Sequence, residues 1–325
     1  MAAADQIKSL IKSFSEGDDS RFYATAMQIA AAEARKGHQE LAEELKKIIQ
    51  ESKKSRINQG ALKRMPVNSA QKELNDLLEF TRPDDKLKDM VLSLKLKKSI
   101  QRILDEQREV EKLRQHNLFP RKKLLLTGPP GCGKTMTSRV IANELGIPLF
   151  VIRLDGLISR YMGESIAKLR LVFDTMKEFR AVYLFDEFDS IGTTRNQGNE
   201  VGEIKRVLNS FLLQIEKDDS NSLIIAATNM PENLDEALFR RFDDIITYPL
   251  PTEEQIFKYY NRELSNINGI DESIIQSLSR KSIGLNFSDL EKICQDFLKN
   301  IIIYGKEKSD VGFLLETINS RKVPF

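Results

Sequence analysis

The residues best placed to do chemistry in this 325-residue chain are Gly128-Pro129-Pro130-Gly131-Cys132-Gly133-Lys134-Thr135. A glycine, four residues, then Gly-Lys-Thr is the spacing of a loop that cradles phosphate. Gly128, Gly131 and Gly133 let the backbone bend until successive N–H groups converge on phosphate oxygens. The loop follows the apolar run Leu124-Leu125-Leu126-Thr127 and opens a segment with helical spacing at Val140, Ile141 and Leu145. A helix N-terminus there adds partial positive charge to the cradle. Lys134 would neutralise the β- and γ-phosphates of a nucleoside triphosphate, and the Thr135 hydroxyl would join a Mg²⁺ shell. Met136 closes the expected nucleotide-binding set.

About fifty residues downstream, Val182-Tyr183-Leu184-Phe185 ends in Asp186-Glu187. A buried strand of this kind delivers two carboxylates to the sheet edge where the phosphate loop also lies. Asp186 would hold Mg²⁺, directly or through water. Glu187 would polarise an attacking water as general base.

These residues need a scaffold, and the apolar pattern supplies one. Runs at 124–127, 149–152, 181–185, 223–227 and 245–248 are separated by helix-length segments, the pattern of a parallel sheet buried on both faces. Right-handed crossovers should connect them. From 251 onward the pattern is helical, with Ile256, Tyr259 and Tyr260, then 274–278, then 290–298, forming a separate lid. Residues 73–117 read as a helical stretch broken at Arg82-Pro83-Asp84-Asp85, with a long charged helix at about 93–116. Residues 1–52 read as three short amphipathic helices. These carry Ile7, Leu10, Ile11 and Phe14; Phe22, Ala26, Ile29 and Ala30; and Leu41, Leu45, Ile48 and Ile49. Such a unit has a thin core and suits either a partner-binding adaptor or a packing module. Residues 53–72 are polar and basic and read as a linker.

Composition removes several classes of function. Fifty basic and 48 acidic residues leave a net charge of +2, so no global field points to nucleic acid or membrane. The apolar runs are far short of the ~20 residues that span a bilayer. The N-terminal Met1-Ala-Ala-Ala-Asp5 lacks a basic n-region and apolar core, so no signal peptide is expected and the default location is the cytoplasm. Two cysteines, Cys132 and Cys294, form no disulfide framework. His38 and His116 are the only histidines and stand in no HExxH spacing, which argues against a zinc protease or a Ser-His-Asp site. No Asn-Lys-x-Asp base-reading motif follows the phosphate loop, which disfavours a GTPase.

From about residue 75 to 310 the chain resembles an AAA-family ATPase module. The fold this implies is α/β, a P-loop AAA parallel sheet with a C-terminal helical lid. A small all-α N-terminal domain precedes it. The expected boundaries are 1–52, linker 53–72, ATPase domain 73–250 and lid 251–325. Ala226-Ala227-Thr228-Asn229 resembles the family's sensor 1, which implies that Asn229 binds the γ-phosphate or the lytic water. Ala237-Leu238-Phe239-Arg240-Arg241-Phe242-Asp243 resembles its arginine-finger segment, similar to that of microtubule-severing members. A guanidinium there reaches the nucleotide of a neighbouring subunit, so Arg240 and Arg241 imply a homo-oligomeric ring, a hexamer by resemblance. Which arginine does more stays open. Ser159 through Ser165 is similar to the first pore loop, where Tyr161 and Met162 would grip an extended polypeptide. Residues 192–202, with Arg195, resemble the second, and Arg206 could serve the subunit interface.

Two segments depart from the family pattern. Gly284-Leu285-Asn286-Phe287-Ser288-Asp289-Leu290 replaces the usual small pair near the adenosine, bringing Phe287 to the base. Lys88-Asp89-Met90-Val91 resembles the segment beside the adenine, with its usual glycine replaced. The expected cofactors are ATP and Mg²⁺. The expected partner is a protein that the ring remodels or threads. The alternative is an ATP-dependent switch acting on an effector such as a subtilisin-like protease, since the module resembles ATPases paired with such proteases. A DNA-directed motor working through the basic stretch 53–64 is the weakest reading, and nucleic acid is not expected as a partner.

Overall fold

A computed structural model describes residues 19–35, 37–39, 42–44, 46–47, 74, 76–157, 164–189, 200–267, 269–305 and 311–322. The chain forms two compact units, Met1–Gln71 and Lys72–Phe325.

In the first unit, helix α1 spans Asp19–Arg35. Thr25 and Ala30 are buried on it, as is Ala42 beyond it. Gly37 ends the helix with φ +90° and donates its N–H to Ala34 O at 3.1 Å. The helix expected around Phe14 and the linker at 53–72 lie outside the described residues.

The second unit is built on a six-stranded sheet. Its elements in chain order are β1 (Leu78–Thr81), α2 (Leu94–Arg108), α3 (Val110–Gln115), β2 (Lys123–Thr127) and α4 (Lys134–Leu145). Then come β3 (Leu149–Ile152), α5 (Leu154–Leu157), α6 (Glu164–Glu178), β4 (Val182–Phe185), α7 (Glu200–Lys217) and β5 (Leu223–Thr228). Next are α8 (Glu236–Phe239) and β6 (Asp244–Thr247), followed by the lid helices α9 (Glu253–Leu264), α10 (Glu272–Lys281), α11 (Phe287–Tyr304) and α12 (Val311–Lys322). The strands lie in the order β1-β3-β4-β5-β2-β6.

The five strands expected from apolar runs all form, within a residue or two of their expected ends, and pair in parallel. The sheet as a whole is mixed, because β1 pairs antiparallel with β3. The helical reading of 73–117 therefore fails at Leu78–Thr81. Pairing decides that segment. Phe80 opposes Phe150 across the strands, their rings 5.5 Å apart, and a lone edge strand of four residues has too little period to be seen in sequence. The long charged helix is likewise broken at Glu109 into α2 and α3.

Burial follows the pattern that predicted the strands. Leu124, Leu126, Ile141, Leu184 and Ile225 are wholly buried between the sheet and its covering helices. The lid has its own core, with Ile256, Tyr260, Leu278, Ile293, Phe297 and Leu314 fully or almost fully buried. Side chains cap its helices: Thr252, Asp271 and Asn286 each accept a hydrogen bond from a first-turn backbone N–H. No helix among the described residues is long and apolar enough to cross a membrane.

Candidate active site

Strand register brings the chemistry together. β2 pairs Thr127 with Thr228 of β5, so the phosphate loop leaves the sheet beside Asn229. β4 pairs Phe185 with Ala226, so Asp186 and Glu187 emerge next to the same corner. All lie at the C-terminal ends of parallel strands, at the point where β2 sits between β5 and β6. A cleft of about 760 Å³ opens there between the sheet edge and the lid, within the size range of ligand pockets.

The loop is held from several directions. Gly128 has φ +133°, and a Cβ there would run into the backbone carbonyl of Tyr248, so a side chain is excluded. Tyr248 is itself fixed, its N–H donating to Thr127 O at 2.7 Å and its hydroxyl 2.6 Å from Thr137 Oγ1 in α4. Burial pushes the Tyr248 phenol well above its ordinary pKa, so this contact stays neutral. The Lys134 ammonium is buried and donates to Gly128 O at 2.7 Å, Pro129 O at 2.8 Å and Asn229 Oδ1 at 2.7 Å. Burial lowers its pKa, against the opposing pull of Cys132, Asp186 and Asp189. Thr135 Oγ1 donates to Asp186 Oδ2 at 2.7 Å, and Asp186 Oδ1 accepts the Glu187 N–H at 2.9 Å.

Glu187 is exposed on the cleft wall with φ +49°, a left-handed conformation that a side-chain-bearing residue rarely adopts. Strain of that kind is found where a side chain must point a particular way. Here it turns the carboxylate from the buried β4 into the cleft.

Of the sequence-predicted residues, Pro130, Gly131, Cys132, Gly133, Lys134, Thr135, Met136, Asp186, Glu187 and Asn229 line this one cleft. Gly128 and Pro129 support it through their carbonyls. Arg240 and Arg241 do not line it. Arg240, 76% exposed at its side chain, stands 3.7 Å from Glu236. Arg241 reaches Glu216 at 3.3 Å and Ala237 O at 3.3 Å. Tyr161, Met162 and Arg195 lie outside the described residues, and Arg206 is exposed on α7.

The structure adds residues that spacing alone does not reveal. Phe287 and Met90 both line the cleft, as their departures from pattern suggested, but Tyr259, Arg262 and Cys294 join them from the lid. The Tyr259 and Phe287 rings lie 5.9 Å apart, and the Arg262 guanidinium stacks 5.0 Å from the Tyr259 centroid. Arg262 also donates to Asp89 O, tying the lid to the segment on the base side. The lid touches the loop too: Ser288 N donates to Gly131 O at 3.2 Å. Burial on α11 pushes the Cys294 thiol up to about 12. The apolar pattern marked Tyr259 only as a lid core position and did not mark Arg262; Cys294 could have been found seven residues after Phe287, on the same helix face.

The donor set fits Mg²⁺. Thr135 Oγ1 and Asp186 Oδ2 are hard oxygens, and no cluster of three or more His, Cys, Asp or Glu among the described residues forms a protein cage. Mg²⁺ keeps several waters and takes phosphate oxygens instead of such cages.

Comparison with known proteins agrees with this geometry. The family described as "ATPase family associated with various cellular activities (AAA)" matches residues 124–250. The chain is 34% identical over 308 residues to a Sinorhizobium fredii protein named "Uncharacterized AAA family ATPase y4kL", covering 95% of this chain and 92% of the relative. It is 34% identical over 190 residues to katanin p60 ATPase-containing subunit A1 of Strongylocentrotus purpuratus, and 35% over 191 to a katanin p60 A-like 1 subunit of Rattus norvegicus. Each match covers 54% of this chain but only 36% and 38% of those longer proteins. The crystal structure of the FIGL-1 AAA domain overlays 80% of this chain and 90% of that one, with a TM-score of 0.62 at 23% identity, a likeness of fold. Phosphate loop, acidic strand end and helical lid thus stand together in a chain that belongs to the AAA family of ATPases and hydrolyses ATP.

Proposed function

We propose that ATP turnover drives a homo-hexameric, cytoplasmic ring that remodels or threads a protein substrate. The observation that carries the ring is the place of the two arginines. The cleft gathers a loop, two carboxylates and an amide, yet Arg240 and Arg241 stand off it, paired with Glu236 and Glu216. A guanidinium that stands off its own cleft, as exposed Arg240 and partly buried Arg241 do, suits a neighbour's site. Similarity to relatives named as ATPase-containing subunits supports assembly.

Within one subunit each residue has a task. The loop's N–H groups and Lys134 hold the phosphates, and on binding the ammonium exchanges its carbonyl partners for phosphate oxygens. Thr135 and Asp186 would hold Mg²⁺, which neutralises charge on the β- and γ-phosphates. Glu187 takes a proton from the attacking water. Asn229, with Oδ1 turned to Lys134, offers its amide N–H to the γ-phosphate or the water. Lid motion relative to the sheet would carry the work, with Tyr161 and Met162 as the grip on substrate.

The test is particle mass with function. Glu187→Gln protein with ATP and Mg²⁺ should run at six times the chain mass and retain ATP. A monomer that retains ATP would sink the ring. In the wild-type background, Tyr161→Ala should keep ATP turnover and lose substrate processing. Intact processing would instead favour the ATP-dependent switch on a partner such as a subtilisin-like protease.

A further inference from the structure

We propose that Asp189, three residues beyond Asp186, is a positioning residue for hydrolysis, acting by fixing Asn229. The inference rests on the reading that Asn229 contacts the γ-phosphate or the water.

The geometry starts at the bend after β5. Asp189 Oδ1 accepts two hydrogen bonds from it, from Thr228 Oγ1 at 3.0 Å and from the backbone N–H of Asn229 at 3.2 Å. Thr228 Oγ1 in turn accepts from Met230 N at 3.1 Å. One carboxylate oxygen therefore sets the backbone direction on both sides of Asn229. Both bonds are of ordinary or slightly long length, and they define the bend by converging on one oxygen. Without Asp189 the Asn229 N–H loses its side-chain acceptor, and the bend loses what defines it.

The other end of the clamp is equally fixed. Phe188, next to Asp189, is wholly buried, its ring 4.8 Å from Phe211 and 6.3 Å from Phe185. Its N–H donates to Ala227 O at 2.8 Å, so the β4 and β5 ends are bonded to one another through the backbone. Asp189 thus stands on an anchored corner and reaches across to the bend that follows β5. Thr228 and Asn229 belong to β5 and its exit, whereas Asp186 and Glu187 follow β4; Asp189 is the side-chain tie between the two arms of the site.

The consequence is chemical. Lys134 has donors only, so the Asn229 amide must present its oxygen to the ammonium at 2.7 Å. That leaves the Nδ2 hydrogens as the donors facing reactants. Their direction depends on the Asn229 backbone, which Asp189 holds. A displacement of about 1 Å at such a donor is expected to cost about 100-fold in turnover.

The test compares Asp189→Ala, Asp189→Asn, Asn229→Ala and the double variant Asp189→Ala/Asn229→Ala in ATPase assays on the full chain. Asp189→Ala should lower kcat by about 100-fold and move KM for ATP by less than about threefold. Asp189→Asn keeps an acceptor oxygen for both donors and should recover most of that loss. In the Asn229→Ala background, Asp189→Ala should cost less than about twofold more, because both act through one amide. A purely structural role would lower both backgrounds alike, and that result would overturn the proposal. So would an Asp189→Asn variant as slow as Asp189→Ala. If Asn229→Ala alone turns over at the wild-type rate, the Asn229 role and this inference both fall. If Asn229→Ala is slow and Asp189→Ala is not, only this inference falls.

Discussion

Coupling between lid and phosphate loop can be tested at Gly131. Its φ is +70°, and an added Cβ would stand 2.7 Å from Asn286 Cγ and 3.0 Å from Ser288 Cβ. Asn286 is the N-cap of α11, its Oδ1 accepting from Asp289 N at 2.9 Å. Gly131→Ala therefore does two things. It places an L-residue in the left-handed region, which costs about 1–2 kcal/mol, partly offset by about 0.5 kcal/mol from a stiffer unfolded chain. It also forces Asn286 off its cap, worth about 1 kcal/mol. The sum is about 2 kcal/mol. Asn286→Ala alone loses the cap, about 1 kcal/mol. The double variant should then cost about 2 kcal/mol rather than about 3, because the cap can be lost only once; the coupling is about 1 kcal/mol. Urea midpoints of the four full-length proteins, followed by circular dichroism because the chain has no tryptophan, give the cycle directly. Titration with a fluorescent ATP analogue gives its counterpart in binding. Additivity within about 0.3 kcal/mol would refute the contact between Gly131 and the lid cap.

Arg240→Ala removes an exposed side chain and should leave stability unchanged within about 0.5 kcal/mol, while lowering ATP turnover at least about 100-fold. Mixing it with Glu187→Gln protein should restore turnover, since the latter lends an intact arginine; no restoration would argue against action in trans. Arg241→Ala should instead cost about 1–2 kcal/mol in a urea melt, because it loses Glu216 and Ala237 O, and an unchanged melt would refute that anchoring role. Both cysteines are buried with thiol pKa values raised, Cys294 to about 12, so little thiolate exists at pH 8. Iodoacetamide at pH 8 should label them only after denaturation, and mass-detected labelling of the native protein would contradict their burial. Glu187→Gly should abolish turnover yet be at least as stable as Glu187→Gln, by about 0.5–1 kcal/mol, since glycine accepts φ +49° without strain. A less stable glycine variant would refute strain at that corner.

The sequence made the site legible where its chemistry depends on residue type at fixed local spacing. The phosphate loop, Asp186, Glu187 and Asn229 each sit at the end of a buried strand, and buried parallel strands announce themselves as apolar runs. The lid was readable for the same reason, since its helices carry wide apolar stripes and side-chain caps. β1 was not, because Leu78–Thr81 is extended only through its pairing with Leu149–Ile152, a non-local fact. Glu187's left-handed backbone was equally silent: glutamate gives no sign of positive φ, and the bonds on either side of it, Glu187 N–H to Asp186 Oδ1 and Phe188 N–H to Ala227 O, exist only in the fold. Asp189 shows the limit best. In sequence it is one more acid after a run that already holds Asp186 and Glu187. Its meaning comes from the register that brings Thr228 and Asn229, some forty residues later, within reach of one oxygen. Spacing along the chain names the groups that react; pairing between strands decides which groups hold them in place.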